Sequence, residues 1–175
     1  MAALYYLIDT VLSFAVYAFL LRVLLPLVRA DFRNPLTQAI LALTNWLVMP
    51  LRRVLPPIRR LDTASIVALV VVQLAATLVL FKLRTGAMIP LLPLAVAALR
   101  SLVLATLLLY TVLIFVYALM SFIAPDARSP VTALLATLCE PILAPLRRVL
   151  PIVGGIDFSP LVAIVGLTAL RILIG

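Results

Sequence analysis

The chain contains no histidine and only one cysteine, Cys139, in 175 residues. The first absence removes the commonest acid–base group and metal ligand, along with the usual haem ligand. The second excludes an internal disulfide and any cysteine-based metal spacing. No cofactor or metal is expected. Charge is also scarce, at 11% of residues with 6 acidic against 14 basic, where soluble domains carry roughly 25%. The groups left for catalysis are hydroxyls and carboxylates at helix caps, so an enzyme is not expected.

What is abundant is apolar sequence: 66% hydrophobic residues and a mean hydropathy of +1.32. That composition belongs to an integral membrane protein. A spanning helix takes about 20 apolar residues, and the stretches 4–28, 64–81, 93–124 and 159–174 qualify or nearly qualify. The last is short, covering about 24 Å of a core roughly 30 Å thick, so it should stand upright or sit in a thinned bilayer. The start, Met-Ala-Ala-Leu-Tyr-Tyr, lacks a basic leader and its apolar run is too long for a signal-peptide core. It is expected to be an uncleaved span.

The heptapeptide Pro-Leu-Arg-Arg-Val-Leu-Pro occurs at Pro50–Pro56 and again at Pro145–Pro151. At the same spacing Asp31 matches Asp126, Arg33 matches Arg128, Pro35 matches Pro130 and Asp62 matches Asp157. An ungapped register of that length marks an internal duplication. Further upstream, Tyr17-Ala18 resembles Tyr117-Ala118, which implies about four extra residues in the first copy on the duplication reading. The expected fold is all-α, with four transmembrane helices in a tandem parallel repeat. Repeat 1 covers 1–87, with spans at 4–28 and 64–81; repeat 2 covers 88–175, with spans at 93–124 and 159–174.

A pI near 10.8 and a net charge of +8 could suggest nucleic acid, but the basic residues follow a topology pattern. Arg29, Arg33, Arg52, Arg53, Arg59 and Arg60 crowd the first connector, and Arg128, Arg147 and Arg148 the second; Lys82 and Arg84 alone mark the opposite side. By the positive-inside rule both connectors are cytoplasmic and both termini periplasmic, in a bacterial inner membrane. No direct nucleic-acid partner is expected. Two-helix repeats return the chain to its starting side, so an inverted-repeat transporter is disfavoured.

Each connector opens on a helix start, Asn34-Pro35 or Ser129-Pro130, with a capping oxygen ahead of a proline at the first helical position. Amphipathic runs follow over 36–49 and 131–144. In the first, Thr37, Gln38, Thr44 and Asn45 form a polar stripe against Leu36, Ala39, Ile40, Leu43 and Leu47. Both runs are too short to span, so interfacial or re-entrant helices are expected. Pro50 and Pro145 should stop them, since an interior proline lacks a donor and clashes with the preceding turn.

The paired arginines Arg52-Arg53 and Arg147-Arg148 sit between prolines on both sides. Two roles fit: topology anchors, or a dock for anionic lipid or an acidic partner through bidentate guanidinium contacts. Asp62 and Asp157 likewise have two readings, as caps on the following span or as partners closing an ion pair with the arginines of their own repeat. Within the spans, Arg22 and Arg171 lie near membrane edges and can snorkel. Asp9 is expected to tie to Arg100 or Arg171 in an intramembrane ion pair. Gln73, Thr77 and Tyr117 suit helix-to-helix hydrogen bonds.

The helix-start pair, the amphipathic run, Pro-Leu-Arg-Arg-x-Leu-Pro and the following Asp, all in two copies, resemble the YggT family of bacterial inner-membrane proteins and its YlmG relatives, in the two-copy form. The first copy departs from the family's usual Glu-Pro, having Asn45-Trp46 where the second has Glu140-Pro141. The resemblance implies membrane organisation: septum-associated functions and nucleoid distribution, cytochrome assembly in plastids, and osmotic tolerance or potassium uptake. Two functions follow as expectations. One is a non-enzymatic scaffold or assembly factor whose arginine corners hold anionic lipid or a membrane-protein partner. The other is a homo-oligomeric channel or transport-associated protein in osmotic adaptation, which is short of the convergent carbonyls or charged rings that selectivity uses.

Overall fold

The computed structural model describes residues 2–56, 62–123, 129–150 and 157–175. Among these the chain forms six helices: α1 (Ala2–Leu27), α2 (Pro35–Arg52), α3 (Thr63–Thr85), α4 (Leu91–Ile123), α5 (Pro130–Val149) and α6 (Ser159–Ile174). Helices α1, α3 and α4 are long and apolar enough to cross a membrane; α6 is apolar but has only 16 residues. A helix pairs most of its backbone polar groups internally, as a bilayer demands.

Several boundaries have legible causes. Asp62 caps α3, and Gly86 ends it at φ +71°, a left-handed conformation that glycine adopts without a Cβ clash, with its N–H on the Lys82 carbonyl at 2.8 Å. Ser129 and Thr132 form a reciprocal capping box on α5, at 3.1 Å and 3.0 Å. Asn34 Oδ1 accepts the Leu36 N–H at 2.9 Å at the start of α2.

The prolines expected to stop the connector helices do not do so. α2 runs through Pro50 to Arg52, and α5 through both Pro141 and Pro145 to Val149. Each proline forfeits one backbone bond, and Pro50 sits so near the end that little helix beyond it is disturbed. The arginine pairs therefore begin on helical backbone: Arg52 closes α2, and Arg147 and Arg148 lie in the last turn of α5.

The residues group into two compact units, Met1–Leu27 with Ala39–Val103, and Val28–Gln38 with Leu104–Gly175. In the first, α1 packs on α3. Val16, Phe19, Leu20 and Leu25 of α1 are buried, as are Ala64, Ala68 and Ala76 of α3, whose small side chains let backbones approach closely. In the second, Ile114 of α4, Cys139 and Leu143 of α5 and Ala163 of α6 form the core.

Candidate functional site

Each connector folds into a corner in which the first arginine of the pair meets the aspartate ahead of the next helix. In the first, Arg52 forms a salt bridge with Asp62, Asp62 Oδ2 accepts from Ser65 Oγ at 2.6 Å, and Thr63 Oγ1 donates to the Pro56 carbonyl at 2.8 Å. Asp62 also takes the Ser65 N–H at 3.4 Å, so one carboxylate both caps α3 and closes the ion pair. Burial alone would push its pKa up, but hydrogen bonds from Arg52 and Ser65 outweigh that and hold it below the ordinary carboxylate value.

In the second corner Arg147 Nε lies 2.8 Å from Asp157, its Nη1 3.2 Å from Glu140, and its Nη2 3.4 Å from the Tyr117 hydroxyl. The guanidinium also sits 6.0 Å from the Tyr117 ring centroid. Asp157 accepts the Ser159 N–H at 2.9 Å, one residue ahead of the N-cap Phe158. Its carboxyl is raised by burial and lowered further by Ser159 and Arg147, with a net downward shift. For Arg147 the penalty of burial is exceeded by the bonds to Asp157 and Tyr117, so its pKa is raised.

The paired arginines thus divide their roles. The side chains of Arg53 and Arg148 are exposed and have no ion-pair partner among the described residues. Pro35, Pro50, Pro56 and Pro145 frame the corners, while Pro151 lies outside the described residues, as do Arg59, Arg60, Asp126 and Arg128. The two helix starts meet directly: Asn34 Nδ2 donates to the Pro130 carbonyl at 2.6 Å.

The most buried charge was expected to snorkel. Arg22 is only 2% exposed, and its guanidinium donates to Ser65 Oγ (3.1 Å), the Leu41 carbonyl (3.0 Å), Thr44 Oγ1 (2.7 Å) and Asn45 Oδ1 (2.9 Å). It joins α1 to the middle of α2 and to the first turn of α3. The polar stripe of α2 is the one sequence signal that could have found this role, because Thr44 and Asn45 are acceptors it uses. A fixed fork of five donors suits several convergent oxygens better than an ammonium would.

The expected tie of Asp9 to Arg100 or Arg171 is not formed among the described residues: Asp9 has no ion pair. Helix α1 packs on α3, which carries no base until Lys82 in its last turn. Arg100 lies exposed on α4 and Arg171 exposed in the last turn of α6. Gln73 and Thr77 bond to each other within α3 at 3.2 Å instead of bridging helices; Tyr117, reaching Arg147, does bridge them.

An all-helical membrane protein in which two proline-framed arginine corners are each closed by the aspartate heading the next helix is the class that fold and site define. The CCB3/YggT family model matches the chain twice, over residues 1–83 and 96–175. The chain is 36% identical over 166 residues to the Escherichia coli K12 "Uncharacterized protein YggT", covering 94% of this chain and 85% of that one. A Pseudomonas aeruginosa protein is 35% identical over 173 residues (97% and 86% covered), and a Vibrio alginolyticus protein 32% identical over 177 (100% and 95%). No solved structure matches. The chain belongs to the YggT family and is a multi-pass membrane protein homologous to bacterial YggT.

The matched segments begin at residues 1 and 96, the same spacing as Pro50 to Pro145. The ends of α1 at Leu27 and of α4 at Ile123 keep that spacing to within about a residue. At that spacing Arg22 stands against Tyr117. In the first corner the span supplies a cation and α2 a neutral Asn45; in the second the span supplies neutral Tyr117 and α5 the acid Glu140.

Proposed function

We propose that this protein is a non-enzymatic membrane scaffold or assembly factor whose two arginine corners hold anionic lipid headgroups at the cytoplasmic face. The observation that carries the reading is the division within each arginine pair. Arg52 and Arg147 are bound to Asp62 and Asp157, which leaves exposed Arg53 and Arg148 on backbone held by those bridges. A guanidinium presented at headgroup level binds phosphate bidentately while its stem stays in apolar surroundings. In this reading α1, α3, α4 and the short α6 cross the membrane as two parallel repeats. The double family match supports the repeat, and the arginine-rich connectors support a cytoplasmic placement for both corners, with both termini periplasmic.

The test is purification from native membranes in mild detergent, with co-purifying lipids and proteins identified by mass spectrometry. Anionic lipid should be several-fold depleted from an Arg53→Gln/Arg148→Gln variant that keeps the wild-type unfolding midpoint. Equal lipid retention would reduce these arginines to topology anchors. Loss of a defined protein in place of lipid would assign the corners to protein docking.

A further inference from the structure

The two connector helices occupy equivalent places in the repeated sequence but differ in the face they leave outside: Thr44 and Val48 are buried like their counterparts Cys139 and Leu143, whereas Leu43 is exposed where Leu138 is buried. In α5 the buried side is apolar, built from Leu134, Leu135, Leu138 and Leu143, while Glu140, Arg147 and Arg148 are exposed. In α2, Thr37 and Thr44 are wholly buried, whereas Leu43, Trp46 and Met49 are 55%, 69% and 55% exposed. Val48 is the large apolar residue that α2 turns fully inward. No charged residue occurs between Arg33 and Arg52.

Arg22 accounts for the difference. Its buried guanidinium takes three oxygens from α2, which rotates the polar stripe inward and leaves Leu, Trp and Met on the outside. Depth points the same way. Trp46 meets the Phe19 ring edge-on, with centroids 6.3 Å apart and planes at 81°. Phe19 lies three residues before Arg22 in α1, about 4.5 Å of helix rise further into the span. Trp46 is thus level with the interior of a membrane-crossing helix, and charged residues flank α2 at both ends.

We propose that α2 is embedded among the lipid acyl chains, with Leu43, Trp46 and Met49 covered by hydrocarbon, while α5 lies at the boundary of headgroups and water. An outward apolar face and an uncharged interior match hydrocarbon and are mismatched to water. The duplication has thereby yielded one lipid-immersed connector and one water-facing connector. This goes beyond the headgroup reading, since it concerns α2's apolar face and not Arg53 or Arg148.

The sequence provides its own probe, because Trp46 is the chain's one tryptophan. The full chain is reconstituted in phosphatidylcholine–phosphatidylglycerol vesicles, and Trp46 emission is titrated against lipids brominated on their acyl chains and, separately, against iodide in the water. Trp46 should be quenched several-fold by the bromolipids and little by iodide. A Trp46→Phe/Ala133→Trp variant, which moves the probe to the exposed side of α5, should show the reverse order. Strong iodide quenching of Trp46 would put α2 on the aqueous surface, and quenching by neither agent would mean that a second copy or a partner protein covers it. Either result in the wild-type chain overturns the proposal, whatever the behaviour of the variant.

Discussion

Arg22 Nη1 lies 2.7 Å from the hydroxyl of Thr44, inside the protein and 22 positions along the chain. Both groups are buried, and with Ser65 and Asn45 they join three helices through one side chain. Replacing Arg22 with Ala would strand Thr44, Asn45 and Ser65 without their donor. Each loss costs on the order of 1 kcal/mol, so about 2–4 kcal/mol of stability should disappear. Arg22→Lys should recover less than half, since an ammonium cannot reach acceptors on both α2 and α3 in the same geometry. Unfolding in detergent by added SDS measures both; wild-type midpoints in the two variants would remove Arg22 from any structural role.

Acid should loosen both corners. Asp62 and Asp157 have folded-state pKa values below the ordinary carboxylate value of about 3.9, so the unfolded chain binds their protons first. The stability they contribute is fully present above that value and is lost as pH falls through the folded-state pKa. The unfolding midpoint should therefore be flat from neutrality to about pH 5 and decline below about pH 4. In an Asp62→Asn/Asp157→Asn variant the midpoint should start lower and lose most of that decline. An unchanged acid limb in the variant would assign it to other groups.

Membrane character, six helical stretches and the two corners were legible because they rest on local signals: apolar length, Asn/Ser-Pro starts and a repeated heptapeptide. Arg22 was not, because whether an arginine snorkels or turns inward depends on what faces it, and Thr44 and Asn45 are more than twenty positions away. The same blindness produced the Asp9 pairing, which was inferred from depth alone while α1 packs on α3, where no base lies nearby. Pro50 and Pro145 read as stops in sequence because an isolated helix breaks there; in the folded chain the helices run through them and end at Arg52 and Val149. The outward apolar face of α2 was concealed for a related reason. Periodicity reports that a helix has two faces, not which one is inside.

The two ion pairs of Arg147 should differ in weight. Glu140 is 58% exposed and 3.2 Å from Arg147, a geometry that water screens, so Glu140→Gln should shift stability by less than about 1 kcal/mol. Asp157 is closer to Arg147 and also holds the Ser159 N–H at the head of α6. Asp157→Asn weakens both contacts and should lower the midpoint more. A double-mutant cycle between Arg147 and each acid separates the two; equal coupling energies would contradict the ranking.

The remaining test uses the one thiol. Cys139 is fully buried in the α4–α5–α6 core, beside Ile114 and Leu143. Burial is the main cause that pushes its pKa up to about 12; Glu140 adds to the rise, and Arg147 opposes it without cancelling it. At pH 7.5 the thiolate fraction is then on the order of 1 in 30,000, and the thiolate is the form that reacts. Maleimide should label the folded protein at least a hundredfold more slowly than the SDS-unfolded chain. Because Cys139 adjoins Glu140 and lies about two turns before Arg147, Arg147→Gln should raise the labelling rate if loosening the corner opens this core. A rate that stays low while the unfolding midpoint falls would place the corner's contribution outside the α5 packing, at the head of α6.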